Sequence, residues 1–94
     1  MNYLIDTHVL LWWVFDDPKL CNISRQIIKN PNNTIYVSSV SAWEIATKYR
    51  IGKLPEVKPL LDDYAPLLNQ MGFNKLGIST AHALRAGQLA IVNG

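Results

Sequence analysis

Apolar and polar positions fall in blocks along this chain, and the length of each block defines an element. Asn2 to Ile5 is a short, mostly apolar run ended by Asp6, the pattern of a strand buried on both faces rather than one with a wet side. From Thr7 the sequence reads THVLLWWVF, apolar all round, which predicts a helix that is buried or covered by another chain. Asp16-Asp17-Pro18 stops it, because proline disfavours helical geometry in its predecessor. The same triplet starts a second helix running to about Lys29, with Pro18 in its first turn. Asn30 to Asn33 is a turn cluster, and the β-branched and aromatic run Thr34 to Val37 is a second strand.

A third helix opens at Ser41-Ala42-Trp43-Glu44 and ends at Gly52. Past Leu54-Pro55, the residues Leu60, Leu61, Tyr64, Leu67, Leu68 and Met71 recur at spacings of three and four, which predicts a fourth helix from about Val57 to Met71. Pro59 fits its first turn, whereas Pro66 falls in its interior and should kink it. Gly72 to Leu76 gives a short third strand. Ser79 caps a fifth helix through Ala86, with Gly87 as its stop. Strand and helix alternate, so the expected class is α/β, a parallel sheet flanked by helices with about three strands and five helices.

Composition sets limits on this picture. The 94 residues suit one domain spanning 1–94, and a chain that short buries only about 60–65% of its unfolded surface. Hydrophobic content of 49% against charged content of 17% leaves apolar surface to face another chain, so a homo-oligomer is expected. The formal net charge of +2 is too slight a bias to announce nucleic acid. A single cysteine, Cys21, rules out an internal disulfide or a multi-thiolate metal site and reads as a small packing residue in a reducing compartment. The start of the chain has no charged leader, and its longest uncharged apolar run, Val9 to Phe15, is far short of the roughly 20 residues of a membrane span. A cytoplasmic protein with no membrane association is expected.

Candidate chemistry centres on two acids. In an alternating α/β chain, residues leaving the carboxyl ends of the strands line the binding crevice. Asp6 follows the first strand directly, and Glu44 lies one helical turn past the second. Two converging carboxylates repel each other and are stabilised by a hard divalent cation such as Mg²⁺ or Mn²⁺, which takes oxygen ligands and keeps several waters. Such an ion activates water or stabilises charge on a phosphodiester. Each acid also has a local reading. Asp6 fits the N-cap of the helix from Thr7, worth about 1 kcal/mol, and Ser41-x-x-Glu44 fits a capping box. A buried carboxylate is costly unless paired, and no neighbouring lysine or arginine is offered to Asp6, which weighs toward metal while leaving both caps open.

The remaining candidates are lesser. His8 reads as a helix-start histidine with a local hydrogen bond, His82 as a packing residue, and Trp43 as a core anchor rather than a stacking platform. Lys48, Arg50 and Lys53 suit RNA phosphates or a solvated helix end equally.

YLIDTHVLLWW, DDPKL, IYVSSVSAWEIATKYRIGKL and GF-x-x-L-x-I-x-x-x-HA-x-x-A together resemble the PIN domains, close to the VapC-like ribonuclease toxins of bacterial toxin-antitoxin modules. The resemblance covers nearly the whole chain and corresponds to the N-terminal two thirds of such a domain. It implies a metal-dependent endoribonuclease using Mg²⁺ or Mn²⁺, with RNA as substrate, a cognate antitoxin protein as partner, and Asp6 and Glu44 matching the first two acidic ligands. The family pattern continues into a D-P-F-D-R-like motif, a further strand and a late aspartate. By that comparison the chain is a truncated PIN domain whose sheet lacks its C-terminal strands and whose site lacks two acids. Weakly bound metal and weak or absent activity are then expected, with the first strand left as an apolar edge that favours self-association. The alternative is a catalytically silent remnant that binds an antitoxin or a second copy. A third reading makes both acids helix caps alone.

Overall fold

β1 (Asn2–Ile5), β2 (Thr34–Ser38), β3 (Asn74–Leu76) and β4 (Ala90–Val92) form one parallel sheet in the order β3-β2-β1-β4 in the computed structural model, which describes residues 1–77 and 79–92. Ile5 stands opposite Val37 on one side and Val92 on the other, and all three are buried. That row of branched side chains starts the core. The helices are α1 (Thr7–Val14), α2 (Asn22–Lys29), α3 (Ser39–Arg50), α4 (Lys58–Asp62), α5 (Tyr64–Gln70) and α6 (Thr80–Gly87), with a 3-10 turn at Pro55–Val57. They close the core with Val9 and Leu10 from α1, Ile45 from α3, Val57, and Leu68 from α5, all 0% exposed. The α/β class is as expected. No helix among the described residues is long and apolar enough to cross a membrane.

Among the described residues four strands and six α-helices stand where three and five were expected, for two physical reasons. The first is β4, which pairs with β1 through Tyr3–Ala90, Leu4–Ile91 and Ile5–Val92. This strand corrects the expectation of an exposed first strand: β1 is interior, flanked on both sides, and self-association through a β1 edge is withdrawn. The second is the expected fourth helix, which is broken rather than kinked. Asp63 leaves helical geometry at φ −138°, ψ 37°, and α5 restarts at Tyr64. In a continuous helix Pro66 would owe a hydrogen bond to the Asp62 carbonyl and its ring would crowd that group. The restart places Pro66 in a first turn, where no donor is needed.

The second helix also begins later than expected, at Asn22 rather than Pro18. Arg25 gathers the intervening turn: Nη1 donates to Asp16 Oδ1 at 2.8 Å, Nη2 to the Asp17 carbonyl at 2.6 Å, and Nε to the Leu20 carbonyl at 3.2 Å. Asp16 adopts φ 50° to allow this, a left-handed geometry that aspartate tolerates better than most residues. The Asp17 carbonyl also accepts from the Leu20 amide at 3.1 Å, closing a turn of three residues instead of a helical one.

On α5 the Tyr64 hydroxyl is buried with no partner among the described residues, and burial pushes its pKa up to about 12. An orphaned buried hydroxyl costs about 1–3 kcal/mol, so Tyr64→Phe is expected to raise stability by about 1 kcal/mol in urea denaturation. The neutral phenol is the form the fold prefers. Stability is therefore retained below the unfolded value of about 10 and declines as pH rises toward the folded value of about 12. The phenylalanine variant should not share that alkaline decline.

Candidate functional site

Because β1 and β2 are neighbours and parallel, their carboxyl ends open on the same edge of the sheet, and each strand turns almost at once into a helix. Asp6 alone separates β1 from α1. Its backbone is extended, at φ −81° and ψ 174°, and its Oδ1 accepts from the Val9 amide at 2.8 Å. The capping role is thus realised. It engages one carboxylate oxygen, and a carboxylate accepts through two. The Asp6 amide also donates to the Val92 carbonyl at 3.4 Å, tying the residue to β4.

Glu44 departs from its local reading. The N-cap of α3 is Ser38, whose hydroxyl accepts from the Val40 amide at 3.1 Å, so the helix starts at Ser39, two residues before Ser41, and the capping box does not form. Ser41 lies inside the first turn, buried, and its Oγ accepts from Thr7 Oγ1 at 2.9 Å. Glu44 follows Ser41 by one turn, on the same face of α3, half-buried. The Thr7–Ser41 bond clamps the start of α1 to the start of α3. Asp6 adjoins one end of the clamp and Glu44 lies a turn beyond the other.

No lysine or arginine pairs with Asp6 or Glu44 among the described residues; the ion pairs there are Arg25–Asp16 and Lys58–Asp62. Nor do the described residues contain a group of three or more histidine, cysteine or acidic side chains placed to hold a metal. The carboxylates that these two helix starts offer are Asp6 and Glu44, the first oriented by a backbone amide. That set suits a hard cation that keeps most of its waters. A closed four-ligand zinc site would need more and softer donors.

Several lesser expectations change. Trp43 is 70% exposed, not a core anchor, because Ser41 and Ile45 carry the buried face of α3 and position 43 points away from both. Cys21 is exposed at the N-cap of α2, its Sγ 3.2 Å from Ser24 Oγ, which holds the thiol below its ordinary pKa. His82 is exposed and locally bonded, its Nδ1 3.0 Å from Ser79 Oγ. His8 is exposed on α1, its ring tilted 46° to that of Trp12 at 6.0 Å.

One feature escaped sequence reasoning. A cleft of about 230 Å³ opens between α1 and the end of α3, walled by His8, Trp12 and Phe15 on one side and by Lys48, Glu56 and Val57 on the other. Only the fold joins positions so far apart, although the acid-proximal placement of His8 and Lys48 was a partial signal.

The chain matches the PIN domain family over residues 3–93, and with its parallel sheet and helix-bearing strand ends it belongs to that family. It is 38% identical over 61 residues to a protein named Ribonuclease VapC16 from Mycobacterium tuberculosis, an alignment covering 65% of this chain and 43% of that relative. The chain thus spans less than half the length of the curated relative it matches. No solved structure matches it.

Proposed function

We propose that this chain is a PIN-type, metal-dependent endoribonuclease of the toxin-antitoxin kind, in which Asp6 and Glu44 hold a Mg²⁺ or Mn²⁺ ion for hydrolysis of RNA phosphodiesters. The observation that carries the reading is the buried Thr7–Ser41 hydrogen bond, which draws together the two helix starts bearing acids that have no cationic partner among the described residues. Membership of the PIN family and likeness to a protein named as a ribonuclease support it.

Each residue has a distinct task. The Val9 amide fixes the Asp6 side chain through Oδ1, so the carboxylate is oriented before any ligand arrives. Glu44 presents its carboxylate from the second turn of α3, held by the burial of Ile45 beside it. When bound, the ion supplies an acidified water and charge stabilisation at the phosphodiester. With two carboxylates in the donor set, affinity for the ion is low and activity weak.

A second reading, a binding role toward a cognate antitoxin or a second copy without cleavage, is favoured by the exposure of Val40 at 54% and Trp43 at 70% on α3. The two separate in one assay. RNA incubated with the protein should be cut slowly in Mn²⁺ or Mg²⁺, and a chelator should abolish the cutting. Cleavage indifferent to chelation, or none in either metal, turns the assignment to the binding role.

A further inference from the structure

We infer that the cleft between α1 and the end of α3 is a nucleotide subsite, binding one RNA base that carries an exocyclic amino group. The inference rests on the nuclease reading only in naming RNA as the source of the base. Position comes first: His8 lies two residues past Asp6, and Lys48 lies one turn past Glu44. The cleft is thus built on α1, which Asp6 caps, and on α3, which carries Glu44.

The walls suit a base. Trp12 and Phe15 offer aromatic surface, with Phe15 45% exposed, and the His8 ring sits against Trp12 with its outer side in water. Unstacked RNA bases are recognised by stacking on aromatic and histidine rings. The rim suits a nucleotide's polar groups. Lys19 and Lys48 are cations placed for phosphate. Asp17 has one oxygen engaged by the Lys19 amide at 2.9 Å, while Glu56 makes no ion pair among the described residues. A carboxylate accepts from the amino group of cytosine and repels the carbonyl that uracil carries at the same position.

Size argues against a protein occupant. At about 230 Å³ the cleft is smaller than the roughly 300 Å³ where sites for drug-sized ligands begin. It has room for one base and part of its sugar. A partner helix, about 10–12 Å across with its side chains, is too wide to enter the cleft whole.

The test uses the full chain in a chelating buffer, so that metal chemistry plays no part. Cytidine 5′-monophosphate, uridine 5′-monophosphate and ribose 5-phosphate are titrated in turn, with the Trp12 indole resonance as readout. Cytidine monophosphate should shift that resonance saturably and bind about fivefold or more tightly than uridine monophosphate, with ribose 5-phosphate weaker still. Glu56→Gln should erase the preference between the two nucleotides, and Lys48→Ala should weaken both alike. Equal binding of ribose 5-phosphate and cytidine monophosphate overturns the base subsite, as does the absence of any saturable shift at Trp12. Shifts produced by an amphipathic peptide but by no nucleotide would overturn it in favour of a protein partner. Nucleotide binding in chelator alongside failed cleavage in Mn²⁺ would refute the nuclease reading and leave the subsite standing; the opposite pair of results would remove the subsite alone.

Discussion

Asp6→Asn is expected to lower metal-dependent RNA cleavage by about a hundredfold or more while leaving the fold nearly as stable as before. Asp6→Ala is expected to lose both. Asparagine caps helices as well as aspartate does, and its carbonyl oxygen can accept from the Val9 amide as Oδ1 does at 2.8 Å. Its loss is confined to the charge, worth about 0.3–1 kcal/mol at an exposed helix N-terminus. Alanine gives up the hydrogen bond as well, for about 0.5–2 kcal/mol. Removing an electrostatic group aimed at the transition state reduces rates by about a hundred- to a thousandfold, and replacing a charged ligand with a neutral one also weakens the hold on the ion. Glu44→Gln supplies the control, because Glu44 caps nothing: its cleavage should fall as far with no stability change beyond about 0.5 kcal/mol. Urea denaturation alongside a cleavage time course reads all three variants. If the asparagine variant cuts at the native rate, Asp6 is a helix cap only and the proposed centre dissolves.

The double role of Asp6 explains how far the sequence could be read. A polar residue between an apolar strand and an apolar helix is an N-cap by local chemistry and a crevice residue by topology, and both follow from β1 ending at Ile5. Glu44 was harder. Ser38, Ser39 and Ser41 all offer a hydroxyl, and local chemistry cannot choose among them as the cap. Pairing decides it: Ser38 is in register with Leu76 of β3, so β2 extends to Ser38 and the helix must begin just after it. That contact spans 38 positions of chain and leaves no local trace. β4 was missed for a similar reason, since three residues carry no periodicity and declare themselves only when β1 offers an edge. Trp43 was misjudged by residue type, where the i, i+4 pair Ser41 and Ile45 already marked the opposite face. The cleft joins side chains from His8 to Val57, a set that only the packing of α1 against α3 creates.

Ile45→Ala is expected to remove about 2–5 kcal/mol of stability, the usual loss when a buried isoleucine is cut to alanine. A domain of this size has about 0.05–0.15 kcal/mol of stability per residue, so the variant should unfold at a much lower urea concentration than the native protein. Ile45 is fully buried, packed in the cluster that contains Ile5, Val9 and Leu10. It therefore couples α3 to the strand and helix that carry Asp6. Ile45→Val, which keeps the branch at Cβ and deletes one methyl, should lose only about 0.5–1.5 kcal/mol and cleave RNA at close to the native rate. Urea midpoints at unchanged m report both substitutions as losses of stability rather than of compactness. A loss below about 1 kcal/mol for the alanine variant would mean that the core does not close around α3. The clamp between Thr7 and Ser41 would then have no packing behind it, and Glu44 would have no fixed station from which to meet Asp6.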